Sequence, residues 1–551
     1  MRLAALVVLA IGCAACGGAS RFALRTPVLR VDDRPLLHAP ANDETPDGAN
    51  AVDMVVLRPL SHAFTPALNE EARDVNALDE VPDSAWFTNR TTSPQDLVRG
   101  PCGDAPLPTV PFTVKTTKVG GVTLGFVVND ARHQKYVLKL DELAQYGQPE
   151  ISTAADAVAS RLYWAIGFNA PCNDVLDVRP SDIRVNAQSA GVTPMGHRKP
   201  LTAKQVAETL LHATPAADGK VRVTASRFID GQVVGTWSGE GTRHDDPNDV
   251  IPHEARRELR GEMTLAGWLA HWDSRRQNTY DTFVPERGGG HVVHYFLDFS
   301  DAIGGTISRT LWAQPRSGYE GIVDLSTILT DMFGFGFLRR PWDDLRTDPL
   351  FPNLGFLDVE HFEPLHFVAQ TPLVRWARAQ RQDTAWMARR IALISEAHVR
   401  VAVAAGHFTH PAEEARLVEI LMGRRTRILR TSFATTSPLA DFTLRRDELC
   451  ATDLARATGV STDASTSYAA EFRFGRHLLL APVSPRLVRT PQGVCTEMPP
   501  HFAPQGAAQD SADRYATIDL LRFEGHSRTR LRAHFYDLGA RGYVLVGIER
   551  L

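Results

Sequence analysis

The chain has 551 residues, more than one hydrophobic core can organise, so roughly two to four structural units are expected. An apolar share of 43% and a charged share of 23% are those of an ordinary globular protein. A net charge of -4 gives no reason to expect a nucleic-acid groove or a polybasic membrane surface, and beyond the N-terminus no stretch is apolar enough for a membrane-spanning helix.

Met1-Arg2 is a short positive start, and Leu3 to Ile11 is an unbroken apolar run. That run is too short to span a bilayer but suits the hydrophobic part of a secretory signal. It ends in Gly12-Cys13-Ala14-Ala15-Cys16-Gly17-Gly18, where a cysteine after small residues resembles a bacterial lipobox. The resemblance implies lipidation at Cys13 or Cys16 and attachment to a membrane through the lipid alone. By the same resemblance, Ala14 or Gly17 after the lipidated residue points to the outer membrane of the cell envelope. Four further cysteines, Cys102, Cys172, Cys450 and Cys495, form an even, sparse set that invites disulfides in an oxidising compartment. Pairing by proximity gives Cys102–Cys172 and Cys450–Cys495, one of the three connectivities four cysteines allow. Outside the signal region there is no CxxC spacing, so structural zinc is not expected.

Residues 17–51, rich in Ala, Asp, Pro and Gly without periodicity, read as a flexible tether. Residues 52–109 read as an arm that packs on the core through Trp86-Phe87. Val110 to Val119, Gly125 to Val128 and Lys135 to Leu140 read as three strands, with turns at Gly120-Gly121 and Asn129-Asp130. Glu150 to Phe168 carries Val158, Leu162, Ala165 and Ile166 at helical spacing and stops at Gly167. Val221 to Ile229 is a further strand. Pro252 to Ala270 reads as a helix with Leu259, Met263, Ala266 and Leu269 on one face. Strands follow at Tyr280 to Val284 and His291 to Phe296, around Gly288-Gly289-Gly290. Thr384 to Ala405 and Pro411 to Thr431 read as two helices, and Arg514 to Phe523 and Leu531 to Arg550 as strands of a small β-rich domain.

His271-Trp-Asp273-Ser-Arg-Arg-Gln-Asn278 precedes the hairpin, and Leu297-Asp298-Phe299-Ser300-Asp301 follows it. An Asp, an Asn five residues later and a second Asp beyond a hairpin suit phosphoryl transfer. One carboxylate accepts the acceptor hydroxyl's proton, while an amide oxygen and the second carboxylate hold magnesium, which prefers hard oxygen ligands.

His271 to Asn278 resembles the H-R-D-x-x-x-x-N catalytic loop of protein kinases, with Trp272 where Arg is usual. Asp298-Phe299-Ser300 resembles D-F-G, with Ser in place of Gly. Val137-Leu138-Lys139 stands where the V-A-I-K lysine would, after a Gly120/Gly121/Gly125 hairpin in the place of the glycine-rich loop. Ala155 to Gly167 is similar to the αC segment of HipA-like and secreted Fam20/CotH-like atypical kinases. That alignment puts Asp156 where a Glu normally pairs with the lysine, with Glu150 as the alternative partner.

The resemblance implies an α+β protein with a two-lobed, protein-kinase-like fold. An antiparallel β N-lobe plus αC would span 110–240, a helical C-lobe 241–435, and a β-rich C-terminal domain 436–551, after a signal and lipobox at 1–16. It further implies ATP or another nucleotide with Mg2+ as cofactors, and a protein or small-molecule acceptor. Lys139 would orient phosphates, Asp156 or Glu150 would hold Lys139, Asp273 would be the base, and Asn278 and Asp298 would bind the metal. The same layout would serve nucleotidyl transfer, or a pseudokinase that scaffolds the envelope. The chain departs from the family pattern at Ser300, at Asp156, one methylene shorter than Glu, and in lacking both A-P-E and G-x-G-x-x-G. His253-Glu254 does not continue to H-E-x-x-H, and no G-x-S-x-G elbow is present.

Overall fold

Apolar residues at alternate positions turn the segment 112–140 into strands with one greasy face. In the computed structural model these are β1 (Phe112–Thr117), β2 (Gly125–Asn129) and β3 (Lys135–Leu140). Phe112, Val114, Phe126, Val128, Tyr136, Leu138 and Leu140 share the core face, none more than 2% exposed. The described residues are 21–43, 70–118, 123–142, 149–193, 197–305, 317–321, 332–334, 337, 344–445, 448–474 and 483–551. Cys13, Cys16, Gly120 and Gly121 lie outside them.

β4 (Asn173–Val178), β5 (Ile183–Arg184), β6 (Ala190–Val192), β7 (Arg198–Pro200) and β8 (Val221–Arg227) extend the sheet. Its order is β4-β8-β3-β2-β1-β6-β7, with β5 beside β1. Helix α1 (Ile151–Ile166) lies against one face, all of it buried except Trp164. Helix α2 (Ala203–Leu210) covers the core face with Val206 and Leu210. α1 stops at Gly167, whose φ of +141° only glycine tolerates and whose missing Cβ, 2.3 Å from the Phe87 ring, lets that ring seat. The arm docks there, with Trp86 stacked on His294 at 3.5 Å between ring centres.

The second layer holds α3 (Arg257–Leu269) and the strands β9 (Gln232–Gly235), β10 (Thr279–Glu286) and β11 (Gly289–Phe296), paired in the order β11-β10-β9. Because β9 pairs with β10, residues 232–235 belong with this layer and not with the sheet before it, as a boundary at 240 would have them. Met263, expected on the apolar face, is the α3 residue left partly exposed, while Glu262, one turn from Leu259 and Ala266, is fully buried. The expected single helix from Thr384 to Ala405 is two, α4 (Arg381–Ala392) and α5 (Glu396–Ala404). Ser395 divides them by capping α5 through the His398 N–H. Helix α6 (Pro411–Thr435) follows.

The chain forms two compact units, one of residues 29–75 and 81–433, the other of 434–551 with 76–80 and the segment up to Val28. The second is an antiparallel sandwich. One sheet is β12 (Leu439–Arg445), β13 (Glu448–Asp453), β16 (Gly493–Glu497) and β15 (Leu487–Arg489), in that order. The other is β14 (Thr466–Phe474), β17 (Tyr515–Glu524), β18 (Ser527–Asp537) and β19 (Tyr543–Arg550). Leu449 and Val494 of the first meet Phe472, Ile518, Leu531 and Phe535 of the second in one core.

Residues 21–43 are not the flexible tether expected. Phe22 N–H donates to the Tyr515 hydroxyl within the sandwich unit, and Leu36 and Asp43 N–H donate to Gly290 and Val234 carbonyls within the larger unit. Both disulfides form, Cys102–Cys172 and Cys450–Cys495. Among the described residues no helix is long and apolar enough to cross a membrane; together with the disulfides this is compatible with export. Cys102 and Cys172 lie 70 residues apart, so replacing both by Ser is expected to cost about 2–4 kcal/mol of unfolding free energy, measured by denaturant titration.

Candidate functional site

Strand alternation sends Leu138 and Leu140 into the core and turns Lys139 to the opposite face, towards α1. There its Nζ lies 3.0 and 3.2 Å from the two carboxylate oxygens of Asp156 and 2.8 Å from Asp298 Oδ1. Lys139 is 8% and Asp156 1% exposed. α1 is fixed in register by its neighbours. Thr153 Oγ1 donates to Asp141 at 2.8 Å, Arg222 Nε donates to Thr153 Oγ1 at 2.7 Å, and Asn173 Nδ2 donates to the Asp156 carbonyl at 3.0 Å. Of the two carboxylates offered as partners for Lys139, Asp156 is the one that reaches it. Glu150 caps α1 with a φ of +74°, and its carboxylate is taken by the Thr409 N–H at 2.9 Å and the Thr409 hydroxyl.

Asp298 is brought in by a hairpin. In the β10–β11 register Thr279 faces Phe296, and the Leu297 N–H donates to the Asn278 carbonyl at 2.8 Å. Asn278 and Asp298, twenty residues apart in sequence, are thereby set one position from directly opposite one another. Asp298 has a φ of +53°, a left-handed conformation that Asp tolerates better than most side chains. Ser300 Oγ donates to Asp298 Oδ1 at 2.9 Å, and the Phe299 N–H donates to Asp156 Oδ1 at 2.9 Å. The segment after the hairpin is thus bonded to the same carboxylate that holds Lys139.

The loop after α3 is closed by Asp301, whose Oδ2 accepts the N–H groups of Trp272 and Asp273 at 2.8 and 2.7 Å. Asn278 Nδ2 donates to the Asp273 carbonyl at 2.7 Å. Arg275 Nε lies 3.0 Å from Asp273 Oδ1, an ion pair without hydrogen-bond alignment. From below, Glu262 accepts from the Tyr163 hydroxyl at 2.7 Å, Ser274 Oγ at 2.9 Å and Trp376 Nε1 at 2.5 Å, while Tyr163 also bonds His271 Nδ1 at 2.9 Å. His271 is held neutral, its pKa lowered to about 4 chiefly by burial.

Burial alone would lower the Lys139 pKa, but Asp156 and Asp298 outweigh it and raise it. Burial raises Asp156 despite the lysine. Burial also opposes ionisation of Asp298, yet Lys139 and Lys118 hold it well below the usual carboxylate range. Asp273 and Asp301 are both raised by burial, only partly offset by Arg275 and by the loop N–H groups respectively.

Lys139, Asp156 and Asp298 therefore meet in one cluster, Asn278 adjoins it through the hairpin, and Asp273 lies in the loop bonded to Asn278. Gly125 faces Lys139 across β2–β3, where a Cβ would fall 2.1 Å from the Leu138 carbonyl oxygen, so strand packing alone demands glycine. Sequence reasoning gave no role to Lys118, Tyr163, Glu262 or Asp301. Glu262 was legible only as an acid one turn from the apolar positions of a helix, a signal shared by countless surface residues.

The chain is similar to solved structures of the Golgi casein kinase. The Golgi casein kinase aligns at 11% identity with a TM-score of 0.23, over 62% of this chain and 75% of its own. The Golgi casein kinase with Mn/ADP bound aligns at 11% with a TM-score of 0.24, over 61% and 75%. No protein-family model and no curated protein matches the chain.

Removing one member of a buried ion cluster leaves the others uncompensated. Lys139→Met is expected to cost roughly 3–5 kcal/mol at neutral pH, and Lys139→Met with Asp156→Leu distinctly less. The single variant's deficit should shrink between pH 7 and pH 5. Without the ammonium, Asp156 takes up a proton in the folded state that the unfolded chain does not bind, so acid favours folding. Denaturant titrations at both pH values measure both effects.

Proposed function

We propose that this chain is an exported, atypical kinase-like phosphotransferase that uses a Mg-nucleotide and phosphorylates an acceptor hydroxyl. The observation that supports the reading most is the cluster in which Lys139 Nζ bonds both Asp156 and Asp298, from three separate elements. A sheet with a crossing helix on one side and a helical layer on the other would be the two lobes. The lipid anchor and the outer-membrane address rest on the N-terminal sequence.

Lys139, held by Asp156, would pair with nucleotide phosphates. Asp298 Oδ1 is committed to Lys139 and Ser300, which leaves Oδ2 for a cation. Asn278 Nδ2 is committed to Asp273, which leaves its amide oxygen. Two hard oxygens, one of them anionic, fit magnesium. When bound, the metal would neutralise charge developing on the transferred phosphoryl group. Asp273 would accept the acceptor's proton as the new oxygen–phosphorus bond forms and the bond to the leaving diphosphate breaks. Asp301, by tying down the N–H groups of Trp272 and Asp273, would fix where that carboxylate stands.

Mg-ATP at a hundredfold excess over its Kd is expected to stabilise the protein by about 2.7 kcal/mol, seen as a raised thermal midpoint. Asp298→Ala should abolish the shift. With nucleotide binding established, transfer of label from γ-labelled but not α-labelled ATP marks a kinase, and the reverse marks a nucleotidyl transferase. No shift in the unaltered protein would favour the non-catalytic scaffold.

A further inference from the structure

The glycine-rich motif that would cradle phosphates with backbone N–H groups is missing from this sequence, and a second lysine stands where such a cradle would act. β1 and β2 pair antiparallel, with Val114 opposite Val128 but Thr116 opposite Val127, so Lys115 is an extra residue in β1. A bulge of one residue reverses which side chains face which side of the sheet from that point on. Before it, Phe112 and Val114 face the core; after it, Thr117 is opposite the core residue Phe126. Lys118 is consequently turned to the face that carries Lys139.

The register continues the row. The Lys118 N–H donates to the Gly125 carbonyl at 2.9 Å, and Gly125 is opposite Lys139 in β3. Residues directly opposed across antiparallel strands point to the same side, so two lysines flank a glycine that contributes no side chain. The strands that carry them are two spacings apart, about 10 Å. Lys118 Nζ donates to the Thr123 carbonyl at 3.1 Å, which steers it along the same hairpin. Its charge is felt at Asp298, second only to that of Lys139. Burial lowers its own pKa, while Asp298 pulls in the opposite direction.

On the phosphotransferase reading above, we propose that Lys118 is a second phosphate-binding cation of the site, selecting a nucleoside di- or triphosphate by gripping its terminal phosphates opposite Lys139. A side-chain ammonium thus supplies what backbone N–H groups of a glycine-rich loop would otherwise supply. A charge-assisted hydrogen bond to an anion is the stronger kind, and an ammonium carried on the face of a strand needs no particular loop conformation.

The test is isothermal titration of the full chain, with Mg2+ present, against ADP and against adenosine. It compares the unaltered protein with Lys118→Gln, which keeps a donor for the Thr123 carbonyl but loses the charge, and with Lys118→Arg. Lys118→Gln is expected to weaken ADP binding roughly ten- to a hundredfold and leave adenosine binding unchanged, with Lys118→Arg recovering most of the ADP affinity. ADP binding undiminished in Lys118→Gln, beside an unaltered protein that binds ADP, overturns the assignment and leaves the phosphotransferase reading standing. Equal losses for ADP and adenosine make Lys118 a structural residue and also overturn it. An unaltered protein that binds no ADP overturns both the assignment and the reading beneath it.

Discussion

Everything at the site depends on one ammonium group buried between two carboxylates. Taking three charges out of water costs several kcal/mol for each ion, and their mutual attraction repays this only with close, well-directed contacts. Lys139 has them: three oxygens within 3.2 Å, with the oxygens themselves bonded to the Phe299 N–H and the Ser300 hydroxyl. The cluster carries one excess negative charge, which a packed apolar trio would avoid.

The rest of the larger unit reads as scaffolding for that cluster. α1 is gripped by Asp141, Arg222 and Asn173, and Arg161 reaches from it to Asp174 beside the Cys102–Cys172 disulfide. Glu262 gathers Tyr163, Ser274 and Trp376 beneath the Asp273 loop, linking α1, α3 and that loop through one buried carboxylate. The β10–β11 hairpin brings Asn278 and Asp298, twenty residues apart in sequence, to within one position of facing each other. None of these devices touches a ligand in the proposed mechanism. They fix the positions of the groups that would.

Much of this was legible in the sequence because it rests on local periodicity. Alternation from Lys135 to Leu140 marks β3 to the residue, helical spacing ending at Gly167 marks α1, and the even cysteine set pairs by proximity. What was not legible depends on partners distant in the chain. The bulge at Lys115 has no signature in a run of Val, Lys and Thr, so nothing there assigned Lys118 a side of the sheet. The break at Ser395 is a local cap, its side chain accepting the His398 N–H, set within a run whose apolar spacing continues as if through one helix. Residues 21–43 look like linker by composition, yet their main-chain groups find partners in folded strands. In the sandwich, β17 and β18 are long strands of ten and eleven residues, whereas β12, β13, β15 and β16 have seven residues or fewer and are interrupted by polar ones.

The most direct test is a crystal structure grown with Mn2+ and ADP, with the metal located by its anomalous signal. The account predicts an anomalous peak within about 2.2 Å of an Asp298 carboxylate oxygen and beside the Asn278 amide oxygen, with the diphosphate in hydrogen-bond reach of Lys139 Nζ. Metal and nucleotide bound elsewhere, with the bonds from Lys139 to Asp156 and Asp298 intact, would contradict it.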